Sequence, residues 1–340
     1  MKFNYVILDS NGIYNKVMFY DVSELDNVSY VPLELNTVVP RFLRPLVKIQ
    51  MSAKLNRYVK FPFKSYWLKR LLPDPCVDDE APFCFILTRA WLELGYGVGL
   101  LPYLKQNYPN SRFVLYLIDL FHTYSPMYRS GIKAFTPELL KTDFDMILSY
   151  DEGESRRYGF HYYQDVYSKV ELPVKNDLAD IDVFFCGKTK DRLPFVLDIA
   201  KVLNNYGLKI CFYIVGAHFD DKQNIPGVYY MDFPISYWEY LCYVQKSKCI
   251  LEVMQNGASG YTLRSLEAIC YNKMLLTTNS NISSIKFYRP GYISIIKQGE
   301  ANEMDSDFLH RIRNNELVDY QYDNSFSPLH LLEYIEFALQ

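Results

Sequence analysis

The clearest order along this chain lies in its second half, where short apolar runs closed by glycine or a polar turn alternate with stretches of helical spacing. The run at 181–186 (IDVFFC) stops at Gly187 and reads as a strand buried on both faces of a parallel sheet. The spacing then predicts a helix over 192–206, with Gly207 as its stop. A strand over 209–215 precedes Gly216, and a shorter one falls at 228–231. A helix over 236–246, a strand over 248–253, a helix over 262–271 and strands over 273–277 and 292–296 complete the series. Strands alternating with helices in this way predict a doubly wound α/β sheet.

The first half uses the same alphabet less regularly. Apolar runs at 5–8, 83–87, 113–118 and 145–149 read as strands, and 100–106 and 151–158 as helices. A second Rossmann-like domain is the expectation. The polar stretch 168–180 (SKVELPVKNDLAD) lacks periodicity and carries a proline, which marks a linker. The predicted division is therefore 1–170, 171–327 and a terminal amphipathic helix in 328–340 that crosses back to the first domain. At 340 residues the chain is long enough for two such cores.

Composition sharpens this picture in three places. With 49% apolar and 22% charged residues the chain is an ordinary globular one. A formal charge of −3 gives no overall attraction to nucleic acid, and no nucleic-acid-binding module is recognisable. The seven cysteines form no CxxC pair and are odd in number, which argues against a zinc or disulfide framework and for a reducing compartment. The short apolar run after Lys2 ends at Asp9, too soon for a secretory signal, and no run reaches the ~20 apolar residues of a membrane span. A cytoplasmic protein is expected.

Candidate chemistry concentrates in 249–279 (CILEVMQNGASGYTLRSLEAICYNKMLLTTN). A buried strand ends in a small-residue loop that opens directly into a helix. Unpaired N–H groups and the dipole at such an entrance suit a phosphate or diphosphate. Thr262 caps the helix or meets a phosphate oxygen. Arg264, in the first turn, opposes the dipole unless an anion arrives. Glu267 lies further along, where a carboxylate can accept both hydroxyls of a ribose diol. An ordinary strand–loop–helix crossover with a surface Arg and Glu explains the same spacing.

The stretch 227–279 resembles the donor-binding core of GT-B glycosyltransferases, with the base-holding strand and loop at 228–234, the diphosphate loop at 259–262 and the ribose helix carrying Leu266, Glu267 and Ala268. Together with GKTKDR after the first strand of this half, it looks like the bacterial polysaccharide and lipopolysaccharide type. The resemblance implies a GT-B fold, two Rossmann-like doubly wound domains facing a cleft, and a nucleoside-diphosphate sugar as co-substrate. It implies no metal and no other cofactor. Ser259, Gly260, Tyr261, Thr262, Arg264 and Glu267 then hold the donor, with Asp232 and Phe233 at the base. Two positions depart from the pattern: Ser259 stands where retaining members often carry a first Glu, and Asp232 where a Gly is common. Glu252 is a candidate replacement carboxylate, or simply bounds a buried strand.

Gly187, Lys188, Lys190 and Arg192 form a second cluster at a strand's carboxyl end, suited to neutralise a diphosphate leaving group or to be plain solvated charge. In the first domain Asp119 and His122 follow a strand and are candidates for the acceptor's general base, with a structural cap as the alternative. Asp9, Asn11 and Gly12 follow the first strand and are candidate acceptor or cleft residues. Gly95, Gly97 and Gly99 have the wrong spacing for a dinucleotide fingerprint and read as a turn. Asp143–Phe144–Asp145 and Asp180–Ile181–Asp182 resemble a metal-chelating DxD but precede their strands, so no metal site is expected. Over 41–70 nine Lys or Arg residues and no acid interleave with aromatics. That segment is a candidate contact with the inner face of a membrane or with a lipid-linked acceptor, or a helix pair with a solvated basic face. The sum is transfer of a sugar to a saccharide or lipid-linked acceptor in bacterial surface polysaccharide synthesis. The alternatives are a nucleotide-sugar epimerase of the same fold and a noncatalytic nucleotide-sugar-binding protein.

Overall fold

A computed structural model describes residues 3–10, 12–34, 39–56, 58–59, 61–72, 81–88, 91–92, 99–121, 136–171, 179–188, 190–255 and 257–339. The chain divides into two compact units, Met1–Ser168 with Ser327–Gln340, and Lys169–Phe326.

The first unit holds a parallel sheet in the order β2-β1-β3-β4-β5-β6. Its strands are β1 (Asn4–Asp9), β2 (Val28–Pro32), β3 (Phe83–Leu87), β4 (Arg112–Leu117), β5 (Met146–Ser149) and β6 (His161–Tyr162). Helices α1 (Ile13–Met18), α2 (Arg44–Gln50), α3 (Ala53–Asn56), α4 (Lys64–Leu71), α5 (Leu100–Asn107), α6 (Pro137–Asp143) and α7 (Glu152–Tyr158) lie along the connections. The four runs read as strands from periodicity all form. The edges β2 and β6 were not legible, because one contains a proline and the other is two residues long. Leu8, Leu87, Leu115 and Leu117 are fully buried in a core that also takes in Trp91 and Leu104. The terminal helix α12 (Pro328–Ala338) belongs to this unit: the Tyr5 hydroxyl donates to the Leu332 carbonyl at 3.1 Å, and Ser327 Oγ to Asp21 at 2.6 Å.

The second unit has the order β12-β11-β10-β7-β8-β9, again all parallel. Its strands are β7 (Ile181–Lys188), β8 (Ile210–Val215), β9 (Val228–Met231), β10 (Ser247–Glu252), β11 (Met274–Thr277) and β12 (Ile293–Ile295). They alternate with helices α8 (Leu193–Asn205), α9 (Tyr237–Lys246), α10 (Leu263–Cys270) and α11 (Ser306–Arg313). Buried apolar strands require cover on both faces, which these helices provide. Gly227 admits the turn into β9: its φ is +78°, and a Cβ there would lie 2.4 Å from the Ile210 carbonyl oxygen.

In each sheet the winding direction reverses beside the first strand. The switch falls between β1 and β3 in the first unit and between β7 and β10 in the second. Ligands of open α/β sheets sit outside the carboxyl ends of strands at such points.

Candidate functional site

At the switch point of the second unit, two guanidinium groups converge on strand ends. Arg264, in the first turn of α10, donates from Nη2 to the Cys186 carbonyl of β7 at 2.5 Å, and its Cζ lies 5.5 Å from the Phe185 ring centre. Gly187 makes this possible, since a Cβ there would stand 2.6 Å from Nη2. Arg192, buried ahead of α8, donates from Nη2 to the Lys188 carbonyl at 2.9 Å and from Nη1 to the Val253 carbonyl just past β10. Burial first, and then the nearby Arg264 charge, pull the Arg192 pKa below its ordinary value. Arg264 Nε is buried and has no hydrogen-bond partner among the described residues. Two cations are thus held on strand-end carbonyls, one of them with a donor unspent.

The α10 entrance lies beside them. Thr262 is the N-cap, its Oγ1 accepting from the Arg264 amide at 3.2 Å. Ser259, Tyr261, Thr262 and Arg264 are half-buried, and Gly260 is buried. Asn279 Nδ2 donates to the Gly260 carbonyl at 3.0 Å, Asn281 Nδ2 to that of Ser259 at 3.2 Å, and Tyr261 Oη meets Ser284 Oγ at 3.0 Å. Lys188 is exposed at the end of β7, and Lys190 lies in the following 3-10 turn. Asp232 and Phe233 are exposed between β9 and α9, the Phe233 ring by 80%.

Two carboxylates finish the site in different ways. Glu252, at the end of β10, is wholly buried and accepts from the hydroxyls of Thr262, Thr277 and, at 2.6 Å, Ser265. It fastens the loop, the start of α10 and the end of β11 together rather than offering a carboxylate to solvent. Glu267 is also buried, accepting from Tyr237 Oη at 2.5 Å and from the Tyr240 hydroxyl. Burial pushes its pKa up to about 7, against the lowering effect of those two hydroxyls and of Arg264. Tyr237 and Tyr240, stacked with ring centres 5.4 Å apart, are residues that sequence reasoning missed. Their spacing on one face of the predicted helix over 236–246 was the available signal.

At the first unit's switch point the strand-end carboxylate of Asp9 is already partnered. Asp9 is fully buried at the end of β1 and accepts from Thr88 Oγ1 and the Ser10 amide, both at 2.6 Å, and from Asn15 Nδ2 at 3.0 Å. Burial raises its pKa. Gly12 is half-buried beside Ser10 Oγ, while Asn11 lies outside the described residues. Past β4, Asp119 Oδ1 accepts from the Leu120 amide at 2.9 Å; His122 lies outside the described residues, as do Gly95 and Gly97. Asp165, buried near Asp119, is pushed well above the carboxylate range by burial and then by the Asp119 charge. The Asp143 and Asp145 carboxylates pair with Lys105 and Arg112, and Asp182 pairs with Lys248 at 2.7 Å. Among the described residues no group of three or more His, Cys, Asp or Glu could hold a metal ion.

Comparison with known proteins settles the fold. No family model and no curated relative matches the chain. Solved structures do. A trehalose-6-phosphate synthase, OtsA, aligns over 99% of this chain and 98% of its own with a TM-score of 0.53 at 11% identity. A putative UDP-N-acetylglucosamine 2-epimerase from Listeria monocytogenes aligns over 98% and 96% with a TM-score of 0.51 at 9% identity. The two parallel six-stranded sheets with their helices have the GT-B fold. Among the described residues no helix is long and apolar enough to cross a membrane.

Proposed function

We propose that the second unit binds a nucleoside-diphosphate sugar at its switch point and that the protein transfers the sugar to a saccharide or lipid-linked saccharide. The observation that carries this reading is the pair Arg192 and Arg264, seated on strand-end carbonyls beside the α10 entrance. A diphosphate oxygen gives the unspent Arg264 Nε its partner. Lys188 and Lys190 add cations, and the stretch Ser259–Gly260–Tyr261–Thr262 adds backbone amides. Asp232 and Phe233 meet the base. The ribose replaces Tyr237 at the Glu267 carboxylate. As the glycosidic bond to the donor phosphate breaks, the guanidinium groups take up the growing negative charge, so neither a metal nor another cofactor is required. Asp119 or His122 is the candidate base for an inverting transfer. The fold is one that the listerial epimerase also has, so epimerisation is the competing chemistry.

The finer setting we propose is cytoplasmic assembly of a bacterial surface polysaccharide or lipopolysaccharide. The test incubates the protein with a panel of nucleotide sugars and measures nucleotide release with and without acceptor glycans. Acceptor-dependent release is the expected result. Release or sugar rearrangement without acceptor means an epimerase, and binding without turnover means a noncatalytic carrier. Arg264→Ala is expected to weaken nucleoside-diphosphate binding about tenfold or more, the value of one charge-assisted hydrogen bond. Unchanged calorimetric affinity in a folded variant removes the diphosphate assignment.

A further inference from the structure

The segment from Arg41 to Arg70 concentrates charge of one sign. It holds nine of the chain's 36 Lys and Arg and none of its 39 Asp and Glu, so it stands at a formal +9 while the rest of the chain stands at −12. In the structure it is a 3-10 turn (Arg41–Leu43) followed by α2, α3 and α4. One side of these helices is anchored: Val47 and Met51, then Trp67, Leu68 and Leu71, are buried in the first unit's core. Trp67 Nε1 donates to Gln50 Oε1 at 2.9 Å and ties α4 to α2.

The other side displays apolar groups to solvent. Phe42 is 80% exposed, Tyr58 and Phe63 are each 74% exposed, and Leu46, Ile49 and Tyr66 are also exposed. Eight of the seventeen exposed large hydrophobic residues among the described residues fall in this one segment. Phe63 holds a left-handed backbone, φ 61°, which a residue with a Cβ adopts only at a cost of about 1–2 kcal/mol. Exposed cations sit among these rings: Arg41, Lys48, Lys69 and Arg70, the last with its guanidinium 4.7 Å from the centre of the Tyr66 ring.

We propose that this face docks on an anionic phospholipid bilayer. Charge complementarity draws the segment to the surface. The rings and aliphatic tips then enter the boundary between headgroups and acyl chains, as on interfacial amphipathic helices. A nucleic acid or an acidic peptide satisfies the cations but leaves those apolar groups in water, so the lipid surface fits both halves of the pattern. This proposal stands independently of the donor site.

The test is co-sedimentation of the full chain with phosphatidylcholine vesicles and with mixed phosphatidylcholine–phosphatidylglycerol vesicles, at low and at molar salt. Binding is expected only to the mixed vesicles at low salt, with a weaker remnant at molar salt. Each cation near the surface contributes about fivefold in partitioning, so Lys48→Gln/Lys69→Gln/Arg70→Gln should lose on the order of a hundredfold at low salt. Phe42→Ser/Phe63→Asn should retain the low-salt attraction and lose the high-salt remnant; asparagine tolerates the left-handed backbone. Unchanged circular-dichroism melts show that both variants fold. Equal binding to the two vesicle types, no binding to either, wild-type binding by both variants, or tighter binding to single-stranded RNA or polyglutamate would each overturn the proposal.

Discussion

Replacing Glu267 by Gln should make the second unit more stable at alkaline pH while leaving it nearly unchanged at acid pH. The wild-type carboxyl is buried and titrates at about 7, against 4.5 for an ordinary glutamate. Between those values the unfolded chain has lost the proton and the folded unit still holds it, so unfolding stability falls as pH rises. The slope is about 1.4 kcal/mol per pH unit, and the whole shift amounts to roughly 3 kcal/mol. The loss is absent below pH 4.5 and complete above about pH 7. Gln does not titrate, and its amide can still meet the hydroxyls of Tyr237 and Tyr240, each of which both donates and accepts. Urea unfolding of both proteins across this range, followed by the emission of Trp238 on α9, reads the difference. The Gln variant should gain about 3 kcal/mol relative to wild type on going from pH 4.5 to pH 8.5. A difference that stays flat with pH would refute the reasoning, because it would mean that the tyrosine hydroxyls and Arg264 already hold an ionised Glu267 at no cost.

Gly187→Ala should weaken nucleoside-diphosphate binding by severalfold with little loss of stability, because the new methyl displaces only the far end of the Arg264 side chain; calorimetry and a thermal melt check the two halves. Gly227→Ala should instead cost about 2–4 kcal/mol, since it adds a left-handed alanine and a clash with the Ile210 backbone; a melt within 0.5 kcal/mol of wild type would contradict the turn. Glu252→Ala strands the buried hydroxyls of Ser265 and Thr277 and frees the half-buried one of Thr262; it should cost about 3 kcal/mol, and it should also lower nucleotide affinity by loosening the α10 entrance. Denaturation curves with and without nucleoside diphosphate separate those two effects.

Most of the sheet was legible because parallel strands buried on both faces leave a plain trace in sequence. Runs such as 181–186 are apolar throughout except at Asp182, which pairs with Lys248 at the strand's entrance. Among the elements that escaped, β2 with its proline and two-residue β6 have weak periodic signals, whereas α11 does have a periodic apolar face, Phe308, Leu309 and Ile312, set in a short and largely polar segment. The candidate site was legible where it is local: Thr262 caps the helix that carries Arg264 and Glu267, so one short stretch of chain holds all three. It was illegible where it joins distant segments. Arg264 reaches a carbonyl 78 residues earlier in the chain, and the hydroxyls on Glu267 come from residues 27 and 30 positions away.

Periodicity and residue chemistry were therefore enough to identify strands, helices and a basic aromatic strip and to single out one helix entrance as a candidate anion site, since each depends on neighbours within a few turns of chain. Whether a carboxylate is offered or enclosed depended on strand order. Placing β10 between β7 and β11 closes three hydroxyls over Glu252 and sets two guanidinium groups on the strand ends. Desolvation and hydrogen bonding act over ångströms in space, so residues remote in the chain decide the charge and reach of a side chain once the fold has brought them into contact.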